Sequence, residues 1–248
     1  MKLLTTVLIM TLTQNLSAQA DTTFKYYNIN WKVCARDTAV YVSKVYAEGN
    51  QFKQKDYWIK GMKPQMDASW KDAGLKRPAG TATWYNEAGT VTKSETYEND
   101  RTAATKYYYD NGKQKASILY DVAGKITSQK GWSTDGMEIP RYIYEQEARF
   151  PGGTSAWQEY LISKINYKLA ANEKAPVGMY TVKVQFLVNK EGRTERVQAI
   201  DVPAQCKKCG PAAVKIITQS PKWEPAIQFG QPVIYQAIQN ISWQVEEG

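Results

Sequence analysis

The residues with the most reactive side chains in this sequence are its three cysteines, Cys34, Cys206 and Cys209. Cys206 and Cys209 are separated by two lysines, and Gly210-Pro211 and an alanine-rich, helical-looking stretch follow them. This spacing is compatible with a redox-active dithiol at a helix N-terminus, where a thiolate is stabilised. The surrounding elements do not suit that chemistry, and a metal site would need more ligands. We therefore predict a local structural disulfide between Cys206 and Cys209, or two unpaired thiols, with Cys34 as a buried odd cysteine.

The sequence contains no histidine, and this absence removes several kinds of catalytic site at once. Nucleophilic sites that depend on an imidazole base are excluded, as are zinc sites with imidazole ligands. The 24 acidic residues show no distinctive pairing of the kind used in glycoside hydrolysis, and no glycine-rich phosphate loop is present in the sequence. We expect no catalytic residue, no metal site and no cofactor, and we predict that the protein is not an enzyme.

The positive charge of the chain is spread along it rather than concentrated. The sequence has 32 lysine and arginine residues against 24 acidic ones, a formal net charge of +8. Residues 21–148 carry a net charge of +3 and residues 149–248 one of +4, and neither region has a basic run longer than two residues. A nucleic-acid surface would need a basic patch or stripe. We therefore predict no nucleic-acid partner, and at most a weak attraction to anionic envelope polymers.

The first twenty residues have the pattern of a secretory signal peptide. Lys2 precedes an apolar run from Leu3 to Leu12, and Ala18-Gln19-Ala20 provides a small-x-small cleavage site. The apolar run has about half of the roughly 20 residues that a helix needs to cross a bilayer, so an uncleaved membrane anchor is the less favoured alternative. We predict cleavage after residue 20 and export to the periplasm or cell envelope, where disulfides are possible.

An aromatic residue followed four positions later by glycine recurs in the first half of the chain. From Tyr85 onward the aromatic positions advance by 12, 11, 12 and 12 residues, and Arg101 replaces the glycine expected after Tyr97. This spacing predicts a β-meander in which each aromatic ends a strand and the glycine adopts a positive φ. The pairs are Tyr57–Gly61, Trp70–Gly74, Tyr85–Gly89, Tyr108–Gly112, Tyr120–Gly124 and Trp132–Gly136.

This pattern resembles the MORN-like repeats found in many exported proteins of the Bacteroidetes type. We assign residues 21–148 to a repeat region of this kind. Its tyrosines and tryptophans are expected to form the shared aromatic face, and hence the core, of a thin sheet. The alternative function of the same side chains is a sugar- or peptide-binding surface, including one for peptidoglycan.

Residues 149–248 have a different pattern, which mixes helical and strand periodicity. The order helix, strand, strand, helix, strand predicts a three-stranded antiparallel sheet with both helices on one face. The whole protein is therefore assigned to the α+β class. The predicted helices are Thr154–Ala170 and Ala212–Thr218, and the predicted strands are Met179–Val188, Thr194–Val202 and Val233–Val245.

This second region resembles the C-terminal domain of TonB, the protein that couples an energised inner membrane to outer-membrane transporters. The resemblance runs from Phe150 to Val245 and ends with the last predicted strand. Several motifs in the same order carry it, which makes the resemblance specific. They are Phe150-Pro151-Gly152-Gly153, Val182–Gly192, Ala212–Ile217, Pro221–Ala226 and Gly230–Val233.

The chain also departs from TonB, which keeps an N-terminal membrane anchor and a long proline-rich spacer. Here the N-terminus has the pattern of a cleavable peptide, an aromatic repeat precedes the domain, and the whole chain has only 10 prolines. Cys209-Gly210-Pro211 replaces the usual acidic residue before the second helix. The resemblance therefore implies the binding mode of the domain more directly than the energy-transducing role.

In TonB-like domains the last strand receives a short extended segment of the partner transporter. The resemblance implies that Val233–Val245 accepts an added strand of an outer-membrane transporter or another envelope protein, through main-chain hydrogen bonds. The alternatives are an edge capped by the chain itself or by a second copy in a homodimer, and an energy transducer for transmembrane transport whose N-terminal anchor is retained. The implied peptide-binding residues are Ile234, Gln236, Ile238, Asn240 and Ser242.

Overall fold

The computed structural model describes residues 22–247, which form mostly antiparallel β-structure with few helices. This content is compatible with the predicted α+β class. The predicted signal peptide, residues 1–20, lies outside the described residues. The chain divides into two compact units, one up to Ala103 and the other from Ala104 onward.

The first unit is an antiparallel meander in which each strand pairs with the next along the chain. The repeat aromatics lie at or next to the ends of the strands, as their spacing predicts. The strands are β1 (Thr23–Tyr27), β2 (Tyr41–Glu48), β3 (Gln51–Trp58), β4 (Lys63–Trp70), β5 (Pro78–Tyr85) and β6 (Val91–Glu98).

The turns of the meander show why glycine recurs four positions after an aromatic. After β5, the side-chain oxygen of Asn86 accepts hydrogen bonds from the amides of Ala88 and Thr90 at 3.0 and 2.9 Å. Gly89 then donates its N–H to the Asn86 carbonyl at 2.8 Å. Its φ is 85°, a conformation that glycine adopts without a steric cost. The asparagine and the glycine together therefore fix the reversal of the chain.

Arg101 can replace the glycine expected after Tyr97, because in this turn the two residues before Arg101 have the positive φ angles. Asn99 and Asp100 have φ values of 49° and 64°, the pattern of a type I′ turn that joins two strands through two residues. The Asp100 carboxylate accepts hydrogen bonds from Lys71 at 2.6 Å and Arg77 at 2.8 Å. These two donors lower the pKa of Asp100.

The pair Trp70–Gly74 departs from the predicted turn. Leu75, rather than Gly74, has the positive φ here, at 54°. The side chain of Asp72 accepts hydrogen bonds from the amides that follow, including the amide of Arg77 at 2.7 Å. The carboxylate therefore closes a longer loop, in which the residue with the positive φ is one position later than the predicted glycine.

The second unit contains a short meander, a small sheet and a larger sheet with helices. Strands of the meander pair in chain order, and the other two sheets have the orders β10-β13-β14 and β12-β11-β15. The meander strands are β7 (Arg101–Tyr108, most of which lies in this unit), β8 (Gln114–Tyr120) and β9 (Ile126–Gly131). The other strands are β10 (Glu145–Gln146), β11 (Gly178–Val188), β12 (Thr194–Asp201), β13 (Ala226–Gln228), β14 (Gln231–Val233) and β15 (Tyr235–Val245). The helices are α1 (Gly153–Lys164), α2 (Leu169–Asn172) and α3 (Cys209–Thr218).

The core of the second unit lies between the larger sheet and its helices. Alternate residues of β11, among them Val184 and Phe186, are fully buried and pack with Trp243 of β15 and Ile217 of α3. Helices α1 and α3 are also linked directly, because the Tyr160 hydroxyl donates to the carbonyl of Ile216 at 2.9 Å. The two helices and three strands predicted for this region occur in the predicted order, and the structure adds α2, β13 and β14.

The predicted helix Thr154–Ala170 is wrong in one respect, because the structure divides it into α1 and α2. Ile165 has an extended conformation, and the side chain of Asn166 accepts a hydrogen bond from the amide of Lys168 at 3.2 Å. The carbonyl of Asn166 accepts the indole N–H of Trp243 at 3.1 Å. The same carbonyl accepts the amide of Leu169 at 3.0 Å, so a local turn and a contact distant in sequence share the group that a continuous helix would bond to residue 170.

Residues on both sides of position 148 pack together within the second unit. The rings of Tyr107, Tyr144 and Phe229 contact one another, with the two tyrosine hydroxyls 2.7 Å apart. Strand β10 likewise pairs with β13. A boundary between independently folding domains at 148/149 stays a prediction, and these contacts show how closely the two regions are connected.

The turn between β11 and β12 gives a prediction about stability. Gly192 has a φ of 82°, and a Cβ added there would lie 2.0 Å from the carbonyl oxygen of Trp223. Gly112 occupies a similar turn of the same unit, at φ 78°, with no atom within 4 Å of the added Cβ. We expect Gly112→Ala to lower the free energy of unfolding by about 1 kcal/mol through backbone strain. Gly192→Ala should cost roughly 2 kcal/mol more, because backbone atoms must move.

Chemical denaturation of the full chain, followed by circular dichroism, measures both losses of stability. Gly112→Ala is the matched control, since it places the same methyl group at the same φ in open space. Equal losses in the two variants would contradict the role given to the contact with Trp223.

Candidate functional site

The last strand, β15, lies at an edge of the larger sheet. It pairs with β11 over eleven residues, from Tyr235 opposite Val188 to Val245 opposite Gly178, without a shift in register. Within residues 22–247 no other strand is its neighbour in that sheet. In an antiparallel strand the main-chain groups alternate between the two sides, so one side of β15 presents a row of N–H and C=O groups to a further strand.

The opposite edge of the same sheet, β12, has features that oppose the addition of a strand. Two register shifts interrupt its pairing with β11, and Arg196 has a φ of 48°. The strand also carries Glu195 and Asp201. Bulges and charged side chains are the usual protection of exposed edges. By contrast, β15 has no charged residue, no proline and no register shift, so it is the unprotected edge of this sheet.

The side chains of β15 alternate between the core and the solvent. Ile241 and Trp243 are buried, whereas Gln236, Ile238, Asn240 and Ser242 are exposed on the outer face of the sheet. Ser242 is also within 2.8 Å of the Thr181 hydroxyl on β11. Four of the five implied binding residues therefore share the outer face of β15. They do not supply the free main-chain groups of the edge through their side chains, but they would contact alternate side chains of an added strand.

Ile234 does not belong to this strand, which corrects the predicted start at Val233. Val233 pairs with Ala226 in the small sheet, and β15 begins only at Tyr235. Ile234 is exposed between the two strands. The alternating pattern continues through this point although the chain moves from one sheet to the other. Periodicity alone therefore did not reveal the change.

A groove of about 540 Å³ lies beside the end of β15. Trp243 and Val245 line it from the strand, Tyr167 and Ala171 from the segment that contains the break between α1 and α2, and Met179 from β11. Tyr167 and Met179 are large, exposed side chains. The sequence reading missed both residues. The signal that could have identified Tyr167 is Asn166, a residue that favours turns over helix interiors.

Hydrogen bonds and burial hold the two ends of β15 in place. At its end, the indole N–H of Trp243 bonds to the carbonyl of Asn166, as described above. At its start, burial and the neighbouring carboxylate of Glu147 raise the pKa of the Tyr235 hydroxyl. The ladder with β11 pairs all the residues between, so one side of the strand is bonded within the sheet and the other side is free.

Cys206 and Cys209 form a disulfide in the turn that leads into α3, and both residues are fully buried. The amide of Cys206 donates to the carbonyl of Pro203 at 3.0 Å, and the amide of Cys209 donates to the carbonyl of Cys206 at 3.1 Å. The arrangement suits a structural crosslink. Cys34 is free and only partly buried, contrary to the prediction that it is buried. Among residues 22–247 no group of three or more His, Cys, Asp or Glu side chains is placed to hold a metal ion.

The burial of the disulfide gives a prediction about thiol reactivity. A thiol-specific reagent such as Ellman's reagent should detect one thiol, that of Cys34, in the native oxidised protein. After reduction in denaturant it should detect all 3 cysteines. The double substitution Cys206→Ala with Cys209→Ala should lower the free energy of unfolding by about 2 kcal/mol, because the short crosslinked loop is released. Three reactive thiols in the native protein as purified from an oxidising compartment would contradict the structural disulfide.

Comparison with known proteins adds no relative to this picture. No family model matches the chain, and no curated protein matches it. In the part of the chain that the structure describes, no helix has both the length and the apolar character needed to cross a membrane. The interpretation of the edge therefore rests on the register, charge and exposure of β15, together with the motifs between Phe150 and Val245.

Proposed function

We propose that this protein is a non-enzymatic interaction module of the cell envelope, which binds an extended peptide of a partner protein by strand addition to β15. The observation that carries the proposal is the unprotected edge: eleven residues in continuous register, with no charge and no proline. Strand addition derives its affinity from main-chain hydrogen bonds and its selectivity from alternate side chains. Both contributions are available at this edge.

The neighbourhood of β15 favours a partner segment of mixed polarity. On the outer face the segment would meet Gln236, Ile238 and Asn240, a row of amides around one exposed isoleucine. Beside the end of the strand it would meet the groove formed by Tyr167 and Met179, which accommodates an apolar side chain. We infer an extended, largely uncharged segment with an apolar residue near one end.

The envelope location and the class of partner come from the sequence. The TonB-like motifs between Phe150 and Val245 imply an outer-membrane transporter or another envelope protein, and the signal-peptide pattern of residues 1–20 implies export. Strand addition also permits a second copy of this chain as the occupant of the edge. The experiment therefore has to distinguish these two occupants.

Crosslinking in whole cells tests which occupant is present. A photoreactive amino acid placed at Gln236 or at Asn240, both exposed beside the edge, should crosslink to a distinct cell-envelope protein that mass spectrometry identifies. The matched control position is Gln198, which lies in β12 at the protected edge and should give no such product. Products that contain only this chain would indicate a homodimer and contradict the proposed partner.

A charge at the edge should weaken binding to the identified partner. Ile238→Lys places an ammonium group beside the added strand, on a residue that is 55% exposed and therefore tolerant of substitution. We expect an affinity about tenfold lower, since lysine is a common protecting residue of natural edges. Ile200→Lys is the control, because Ile200 is 45% exposed on the opposite edge of the same sheet. Equal affinity of the two lysine variants, measured by calorimetry, would rule out β15 as the binding edge.

Proline substitutions distinguish main-chain pairing from contacts made by side chains alone. Ile238 and Gln239 are adjacent in β15, so their N–H groups point to opposite sides of the strand. One of the two proline variants should therefore destabilise the sheet, and the other should fold normally but bind the partner weakly. Undiminished binding by the normally folded variant would show that main-chain pairing is not the mode of recognition.

A further inference from the structure

The first unit contains a groove of about 530 Å³ on one face of strands β3 to β6. This volume lies within the roughly 300–1,000 Å³ typical of small-molecule sites. Aromatic side chains provide much of its lining, and two polar side chains of β3 contribute to it. The residues that matter for its chemistry are Trp31, Gln54, Asp56, Trp70, Trp84 and Tyr97.

The register of the strands gives the groove a floor of small residues between aromatic walls. Ala68 and Ala82 are 3% and 2% exposed and lie on the lined face, each two residues from a tryptophan. Met66 is the cross-strand partner of Trp84, and Trp70 lies four residues further along β4. The two indoles are therefore about 13 Å apart along the strands. A flat, elongated ligand fits this spacing better than a compact one.

Two of the side chains that line this groove, Trp70 and Asp56, carry buried polar groups. The indole nitrogen of Trp70 is buried and has no hydrogen-bond partner in the protein, which is unusual for a buried donor. The carboxylate of Asp56 is also buried, and the side-chain amide of Gln54 donates to it at 3.1 Å. Burial, opposed by hydrogen bonds from Ser43 and Gln54, raises the pKa of Asp56. The site therefore combines an unused donor with an acceptor held in a fixed position.

Trp31 is presented to the groove by a loop with a strained residue. Its φ is 57°, an unfavourable conformation for a bulky side chain. Asn28 holds the loop, because its side-chain oxygen accepts hydrogen bonds from the amides of Asn30 and Lys32 at 2.9 and 3.1 Å. The Trp31 ring stacks on Tyr41, with centroids 4.4 Å apart, yet remains 43% exposed. The indole is therefore held exposed beside the groove by a strained backbone, and strained residues of this kind cluster at ligand sites.

The charges around the groove disfavour an anionic ligand. Lys93, the cross-strand neighbour of Trp84, lies over the Trp84 ring at 3.7 Å and forms an ion pair with Glu95 at 3.0 Å. Glu95 in turn accepts a hydrogen bond from the Tyr97 hydroxyl at 2.6 Å. Lys93 is therefore already neutralised, and the charged group that lines the groove is the buried Asp56.

We propose that this groove binds a neutral oligosaccharide. Linked sugar rings form an elongated chain. The apolar C–H face of each ring packs on indole and phenol rings. Their hydroxyl groups would accept a hydrogen bond from Trp70 Nε1 and donate to Asp56 and Gln54. The site lies in the first unit and does not depend on strand addition at β15. Failure of either proposal therefore leaves the other standing.

Calorimetry with the full mature chain and three soluble trisaccharides tests the proposal. Chitotriose represents N-acetylated wall glycans, and cellotriose and maltotriose represent plain glucans. We expect at least one of them to bind. Trp31→Ala should lower the affinity several-fold by removing a stacking surface, whereas Ile29→Ala, at a 64% exposed position in the same loop, should not change it.

Trp70→Phe separates binding from folding. It keeps an aromatic ring but removes the unpaired N–H, so the melting temperature should be unchanged or higher while the affinity falls about tenfold. Two results would overturn the proposal: no binding of any trisaccharide at millimolar concentration, or binding that neither substitution weakens. Binding of tetramethylammonium, without binding of any trisaccharide, would identify a cation site instead and would also overturn it.

Discussion

The unbroken ladder between β11 and β15 is the constraint on which the second unit depends. Its register places Ile241 and Trp243 in the core and leaves alternate residues on the outer face. Because Trp243 is fixed in this way, its indole N–H reaches the carbonyl of Asn166, which lies in the break between α1 and α2. The groove beside Tyr167 follows from that break. The pairing therefore leaves one edge of β15 free and anchors the segment that lines the surface next to it.

The elements that the sequence predicts correctly are those set by short-range patterns. Strict alternation identifies β11 and most of β15, and the residues Asn189 to Gly192 identify the turn after β11. The break in the predicted helix has a local signal in Asn166, whose side chain accepts the amide of Lys168, and a second contact from Trp243, 77 residues away. The strand that the sequence predicts from Val233 is divided because Val233 pairs with Ala226 in another sheet. Periodicity carries no information about such long-range partners.

The same distinction applies to the repeat. The spacing of aromatics and glycines predicts the turn after β5, where Asn86 and Gly89 fix a reversal with local hydrogen bonds alone, but it fails after Trp70, where Asp72 closes a longer loop. The aromatic groove of the first unit is different in kind. It requires Ala68 and Ala82 to lie on one face, which depends on the register between β4 and β5 and on the shift within it. The composition shows that the chain is rich in aromatic side chains, but the register of the strands determines which of them line the groove.

The difference in protection between β12 and β15, the two edges of the larger sheet, also limits how copies of this chain could assemble through that sheet. A sheet with two open edges joins head to tail and grows into a fibre, whereas β12 is interrupted by register shifts and charged side chains. Because β15 is the one open edge of that sheet, two copies could join through this sheet only by pairing their β15 strands, and the joined sheet would have no further open edge. The unequal protection of the sheet thus favours a closed, finite stoichiometry over polymerisation.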